Sequence, residues 1–190
     1  MSQNIKEHND LSSPSGGQGA GSLRIFLIGF MGCGKTHLGK QLGDKLQLPF
    51  FDLDEKIIEK EGRTINDIFE TEGEEHFRLL EKDVLHLLTE SHTNFVMACG
   101  GGTPCFYNNI DYIKKQGTAV WLNCSVECMH ERLIKEKSSR PLIKDFSDDQ
   151  LRSYIIKKFG DRKIFYQQAT VIIKEDDVDL EQLTQKIFHS

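Results

Sequence analysis

Short apolar runs alternate along this chain with longer stretches in which apolar residues return every three or four positions. Leu23–Ile28 (LRIFLI) is almost continuously apolar, as strands buried on both faces of a parallel sheet are. Between Lys35 and Leu46, Leu38, Leu42 and Leu46 share one face of a predicted helix. Further strands are predicted at Phe50–Leu53, Phe95–Cys99, Thr118–Asn123 and Val171–Lys174. Helical spacing covers Asp54–Lys60, Thr64–Ser91, Asn108–Lys115, Val126–Lys135, Asp148–Gln168 and Leu180–Phe188. Thr64 with Asp67 three residues on marks a helix start, and Gly73 is expected to break that long stretch in two. Strands separated by helices imply parallel βαβ units, hence one three-layer α/β/α domain.

Composition narrows the class. At 190 residues the chain holds one core comfortably but not two. No apolar run approaches the roughly 18 residues that cross a bilayer, and no apolar signal core opens the chain, so a cytoplasmic protein without a membrane partner is expected. Residues 1–22 are polar and rich in Ser and Gly, and read as a disordered leader or expression remnant, leaving 23–190 as the domain. Five cysteines, an odd number without CxxC spacing, argue against a zinc site and a disulfide framework. A net charge of -5 makes nucleic acid an unsuitable partner. An acidic chain that binds anions must instead gather its basic groups locally.

One segment does so. Residues 29–36 (GFMGCGKT) fit the GxxxxGK[ST] phosphate loop, set between a predicted strand and a predicted helix. Backbone amides of Gly32, Cys33, Gly34 and the residues that follow, His37 included, can wrap the phosphates of ATP at a helix N-terminus. In that setting Lys35 reaches the β- and γ-phosphates, and the Thr36 hydroxyl is a ligand for Mg2+.

Four further features bear on the acceptor. Asp52 and Asp54 close the second predicted strand, where alternation puts both on one side, toward the carboxyl edge that binds ligands in parallel sheets. One can hold magnesium and the other accept from a substrate hydroxyl, although Asp54 alone also suits a helix cap. Arg78 follows Gly73 on a helix and carries no weight by itself. Gly100, Gly101 and Gly102 follow a strand directly, which implies close backbone approach or a tight turn. Arg140 lies in the polar stretch Glu136–Asp149, a predicted loop, and Arg162 in a helix; a guanidinium on a loop can close over phosphates and exclude water.

GFMGCGKT, DLD at 52–54, FR at 77–78, the triple glycine, RPL at 140–142 and RxxxY at 162–166 follow one another in an order that resembles the shikimate kinases, over essentially the whole chain from Leu23. The resemblance implies a nucleoside-monophosphate-kinase-like fold, with a five-stranded parallel sheet in order 2-3-1-4-5. It also implies a helical substrate part near 54–91, a lid near 136–149 and a monomer. The implied reaction is phosphorylation of the shikimate 3-hydroxyl by ATP with Mg2+. Lys35, Asp54 and Arg140 would be catalytic, and Thr36 and Asp52 would hold the metal. Asp54, Arg78, Gly100, Gly101, Gly102 and Arg162 would bind shikimate, the two arginines at its carboxylate. A gluconate kinase of the same fold would keep the phosphate loop without needing the DLD, triple-glycine and two-arginine set. A non-catalytic module would have lost one of the reactive residues, and all are present.

The sequence departs from the family pattern in three places. Cys99 precedes the triple glycine where the family has Ser or Thr, and the segment after Arg162 is one residue shorter and lacks its proline. The adenine-stacking arginine has no clear counterpart, with Arg132 and Lys135 as candidates.

Overall fold

A computed structural model describes residues 22–137, 140, 142–174, 176 and 178–188. The polar leader therefore lies almost wholly outside the described residues, as do 138, 139 and 141 of the expected lid. Five strands form one parallel sheet: β1 (Arg24–Ile28), β2 (Phe50–Asp52), β3 (Phe95–Ala98), β4 (Thr118–Leu122) and β5 (Val171–Ile173), in the order β2-β3-β1-β4-β5. The helices are α1 (Lys35–Leu46), α2 (Leu53–Glu61), α3 (Ile65–Ser91), α4 (Asn109–Gln116), α5 (Val126–Glu136), α6 (Asp148–Tyr166) and α7 (Leu180–Phe188). The 3-10 turn at Thr103–Cys105 was not expected from the sequence. Among the described residues no helix is long and apolar enough to cross a membrane.

The central strand β1 explains its own sequence. It pairs with β3 on one side (Phe26 opposite Met97) and β4 on the other (Phe26 opposite Ala119), with helices over both faces. Ile25, Phe26, Leu27 and Ile28 are all completely buried, so no polar alternation is tolerated there. Phe26 packs edge-to-face on Phe95, their ring centres 5.3 Å apart. Because every strand runs the same way, the segments leaving Ile28, Asp52, Ala98, Leu122 and Ile173 all emerge at one edge of the sheet. The candidate residues read from the sequence lie largely on these segments.

One local expectation is corrected. Asp52 and Asp54 do not share a strand, because β2 stops at Asp52 and Leu53 already begins α2. The Asp52 carboxylate accepts from the amides of Asp54 (3.1 Å) and Glu55 (3.5 Å), capping the helix. That cap satisfies amides that would otherwise have no partner, and it outweighs extension of a three-residue strand. The signal at Thr64 is present as a full capping box with Asp67.

Helical backbone continues on both sides of Gly73, which itself sits at φ 84°, ψ 175°, a region essentially restricted to glycine. Gly62, which ends α2, has φ 64°, ψ 17°, and neither residue has an atom near the space a Cβ would take. Only the backbone can therefore penalise an alanine. Gly62→Ala is expected to lower the unfolding free energy by about 1 kcal/mol, and Gly73→Ala by about 2 kcal/mol, both measured by urea denaturation. Equal losses would mean that residue 73 relaxes into the helix.

Candidate active site

The loop 29–34 turns the chain from β1 into α1. Gly32 packs so closely under α5 that a Cβ there would sit 3.0 Å from Leu133 Cγ. Gly34 caps α1 without a side chain, and the first turn holds no acidic residue, so the amides at this end and the helix dipole face an open cleft of about 790 Å3. Met31, Cys33, Lys35, Thr36 and His37 line the same cleft. Lys35 Nζ donates to the carbonyls of Gly29 and Phe30, both at 2.9 Å, which tethers the ammonium to the mouth of the loop. The His37 ring nitrogen lies 3.2 Å from the Gln41 amide. Thr36 Oγ1 donates to Asp52 Oδ2 at 2.6 Å, so a hydroxyl and a carboxylate converge beside the helix end.

Asp54 stands next in the cleft. Withdrawal of its carboxyl from water, with Glu81 and then Asp52 close by, raises its pKa to about 6, while Lys35 and Arg78 oppose the rise. Glu81, on α3, is 1% exposed and was not singled out from the sequence. It accepts from Thr103 Oγ1 at 2.5 Å and from Arg78 Nη1 at 2.8 Å. Arg78 is itself 7% exposed, bonds Glu74 through Nη2 at 3.0 Å, and stacks its guanidinium on the Phe106 ring at 4.5 Å.

The triple glycine runs between these groups. A Cβ on Gly100 would collide with Glu81 Oε1 and lie 3.0 Å from Asp54; one on Gly102 would lie 2.5 Å from Arg78 Nη1; one on Gly101 would lie 3.3 Å from Arg162 Nη1. Close approach, and not turn geometry alone, therefore accounts for all three. Arg162 projects from α6 with its guanidinium 5.6 Å from the centre of the Phe30 ring. Tyr166, one helical turn on, is completely buried and donates to Gly101 O at 2.5 Å. Burial pushes its phenol well above the usual range, so it stays a donor. Gly100 and Gly101 line the main cleft, whereas Arg78, Gly102 and Arg162 stand immediately behind them.

Cys99 is buried, and burial together with Glu81 pushes its thiol far up, so this family departure presents a neutral S–H. Arg140 also lines the cleft, 38% exposed, its Nη2 2.6 Å from Glu136. Of the two adenine candidates, Arg132 lines the cleft and donates to Gly32 O (3.4 Å) and Asp176 O (2.6 Å), while Lys135 is not among the lining residues. A helical Arg followed three residues later by Glu was the one available sign of Glu81. Nothing local marked Thr103.

The sequence profile of the shikimate kinase family matches residues 31–190. A shikimate kinase of Azobacteroides pseudotrichonymphae is 44% identical over 78% of this chain and 88% of its own length. One from Bacteroides thetaiotaomicron is 41% identical over 83% and 89%. The crystal structure of shikimate kinase from Bacteroides thetaiotaomicron superposes with a TM-score of 0.81 at 39% identity, covering 88% of this chain and 95% of that one. Shikimate kinase from Acinetobacter baumannii in complex with shikimate gives 0.74 at 36%, covering 88% and 91%. A profile match over most of the chain, with relatives this similar along most of their own lengths, means that the chain belongs to the shikimate kinase family, kinases of the pathway to the aromatic amino acids.

Proposed function

We propose that this chain transfers the γ-phosphoryl group of ATP to the 3-hydroxyl of shikimate, releasing ADP and shikimate 3-phosphate. The observation that carries the reading is a single cleft in which an uncapped helix N-terminus with Lys35 faces Asp54, and where two arginines close the far side of a triple glycine. A phosphate loop alone serves many ends; a half-buried carboxylate beside paired guanidinium groups suits a hydroxylated acid as acceptor.

In this reading the loop amides and Lys35 hold the phosphates and offset the charge that spreads over the transferring group. Asp54 accepts from the acceptor hydroxyl, aims its oxygen at the γ-phosphorus, and takes the proton as the new O–P bond forms and the bond to ADP breaks. A loose transition state leaves that proton acidic only late, so orientation is the larger part of its work. Arg78 and Arg162 grip the substrate carboxylate. Arg78 gives Nε, Nη1 and Nη2 bonds to Glu74 and Glu81, and of its five N–H donors two have no partner among the described residues. Arg140, between α5 and α6, serves as the lid arginine over the phosphates, and Arg132 borders adenine.

The Thr36 hydroxyl and Asp52 carboxylate, both hard oxygen donors 2.6 Å apart, fit Mg2+ and would hold it. When bound, that ion neutralises phosphate charge. The family resemblance carries a monomer as the working unit of this reading.

Three outcomes are expected. ADP release from ATP and magnesium should depend on shikimate, at on the order of 1–100 per second, with gluconate and nucleoside monophosphates inactive; turnover with gluconate instead would overturn the acceptor assignment. Arg162→Lys should raise the KM for shikimate about tenfold or more with a smaller change in kcat, because an ammonium cannot form the fork; an unchanged KM would assign the carboxylate to another residue. Asp54 sets a pH limit. Its raised pKa favours the protonated folded form, so the stability it contributes is fully present below its unfolded value of 3.8 and is lost as pH rises through about 6. Activity should show the opposite trend, falling below about pH 6 as the carboxylate protonates. Asp54→Asn should therefore gain stability over the parent above pH 6, converging with it toward pH 4, while losing turnover. Melting and rate profiles that fail to diverge in this way would assign the limit to another group.

A further inference from the structure

Where the cleft passes from the phosphate loop toward α7, three potential metal ligands converge from separate segments. The Sγ atoms of Cys124 and Cys128 and a carboxylate oxygen of Asp176 lie within 4.8 Å of one another. Cys124 follows β4, Cys128 lies in the first turn of α5, and Asp176 sits on the connection between β5 and α7. Two of them share one orienting residue. Ser125 N and Oγ donate to the two Asp176 oxygens at 2.6 and 2.7 Å, and the same Ser125 Oγ accepts from Cys128 N at 3.1 Å. Cys124 donates to Cys33 O at 3.5 Å and Cys128 to Asp176 O at 3.9 Å, both long contacts that a ligand role would replace.

We propose that Cys124, Cys128 and Asp176 bind a thiophilic divalent cation of the zinc class at the rim of the nucleotide cleft, with the fourth coordination position turned to that cleft. Tetrahedral Zn–S bonds of about 2.3 Å put neighbouring ligand atoms about 3.7 Å apart, so contraction of about 1 Å closes the set. Two sulfurs exclude magnesium, which takes oxygen ligands, and this keeps the site chemically separate from Thr36 and Asp52. Charge also balances. Two thiols and one carboxylate carry -1, and a divalent ion bound to two thiolates and the carboxylate carries -1 after two protons leave. Arg132, which donates to Cys124 Sγ at 3.8 Å and to Asp176 O at 2.6 Å, therefore faces the same net charge in either state. Cys124 and Asp176 line the cleft, which gives the ion a path in and an open coordination position. The cysteine spacing that argued against zinc concerns sites announced along the sequence; here the third ligand arrives 48 residues after Cys128.

The test is a Co2+ titration of the full chain, stripped by chelator under reducing conditions. One equivalent should give tetrahedral visible bands with a near-ultraviolet thiolate-to-cobalt charge-transfer band, displaced by Zn2+ and indifferent to excess Mg2+. Cys128→Ser should cut the charge-transfer band to about half, Cys124→Ser with Cys128→Ser should remove it, and Ser125→Ala should weaken binding about tenfold with the bands retained. A parent protein without the charge-transfer band overturns the proposal, as does a double variant that keeps it, since Cys33, Cys99 and Cys105 would then be the ligands. Circular dichroism identifies a variant that has lost its fold. Asp176→Asn then serves instead: weaker Co2+ binding with both thiolate contributions intact supports the site, and unchanged affinity removes it.

Discussion

Taking the Glu81 carboxylate out of water costs several kcal/mol, and much of the acceptor end of the cleft is arranged to offset that cost. Thr103 Oγ1 and Arg78 Nη1 each give it a hydrogen bond, and Arg78 is held in turn by Glu74 and the Phe106 ring. Removing one partner from such a buried pair typically costs 3–5 kcal/mol, because the remaining charge is stranded. The interaction is therefore a constraint on geometry more than a source of net stability. It fixes the Arg78 fork against Gly102, and it makes glycine obligatory at 100 and 102, where side chains would strike Glu81 and Arg78.

The same end of the molecule is braced from the other side by aromatic packing. Phe30, inside the phosphate loop, contacts Tyr154 and Phe159 of α6, and Trp121 of β4 contacts Phe159 and Tyr166. These rings set the position of α6, and Tyr166 ties it to Gly101 through a buried hydrogen bond. Arg162 thus inherits its place from the core, since among the described residues its guanidinium makes no ion pair. Nucleotide and acceptor groups consequently share a wall, since the loop that wraps phosphate also carries the ring under Arg162.

How much of this was legible in sequence depended on whether the signal was local. The strands showed themselves because burial on both faces leaves no room for polar alternation, and the phosphate loop because its glycines and Lys35-Thr36 must be contiguous. Asp54 was read as continuing the strand alternation of Asp52 since nothing in FDLD distinguishes the end of an extended run from a helix cap; only the amides of Asp54 and Glu55, which donate to Asp52, decide it. Glu81 was missed because a carboxylate on a charged helix is ordinarily solvated, and its burial comes from Thr103, which is 22 residues away. The burial of Cys99 beside Glu81 was equally invisible, though its identity as a departure was not.

Asp54 shows what such an arrangement exchanges for reactivity. Its carboxyl sits beside Asp52 and Glu81, so ionising it near neutral pH works against the folded state, and its pKa of about 6 reflects a balance with Lys35 and Arg78. A carboxylate on an open surface would ionise freely, but water would already occupy its acceptor lone pairs. Partial withdrawal from water leaves it ionised at working pH and poorly solvated, so a substrate hydroxyl replaces few existing hydrogen bonds. Cationic groups cannot fully relieve the like charges without pulling the pKa back to its ordinary value and restoring a well-satisfied carboxylate. The strain among the three carboxyls therefore follows from placing an acceptor where a hydroxyl must be oriented, and the fold sustains it because the closed core around β1 is large enough to hold those groups in place.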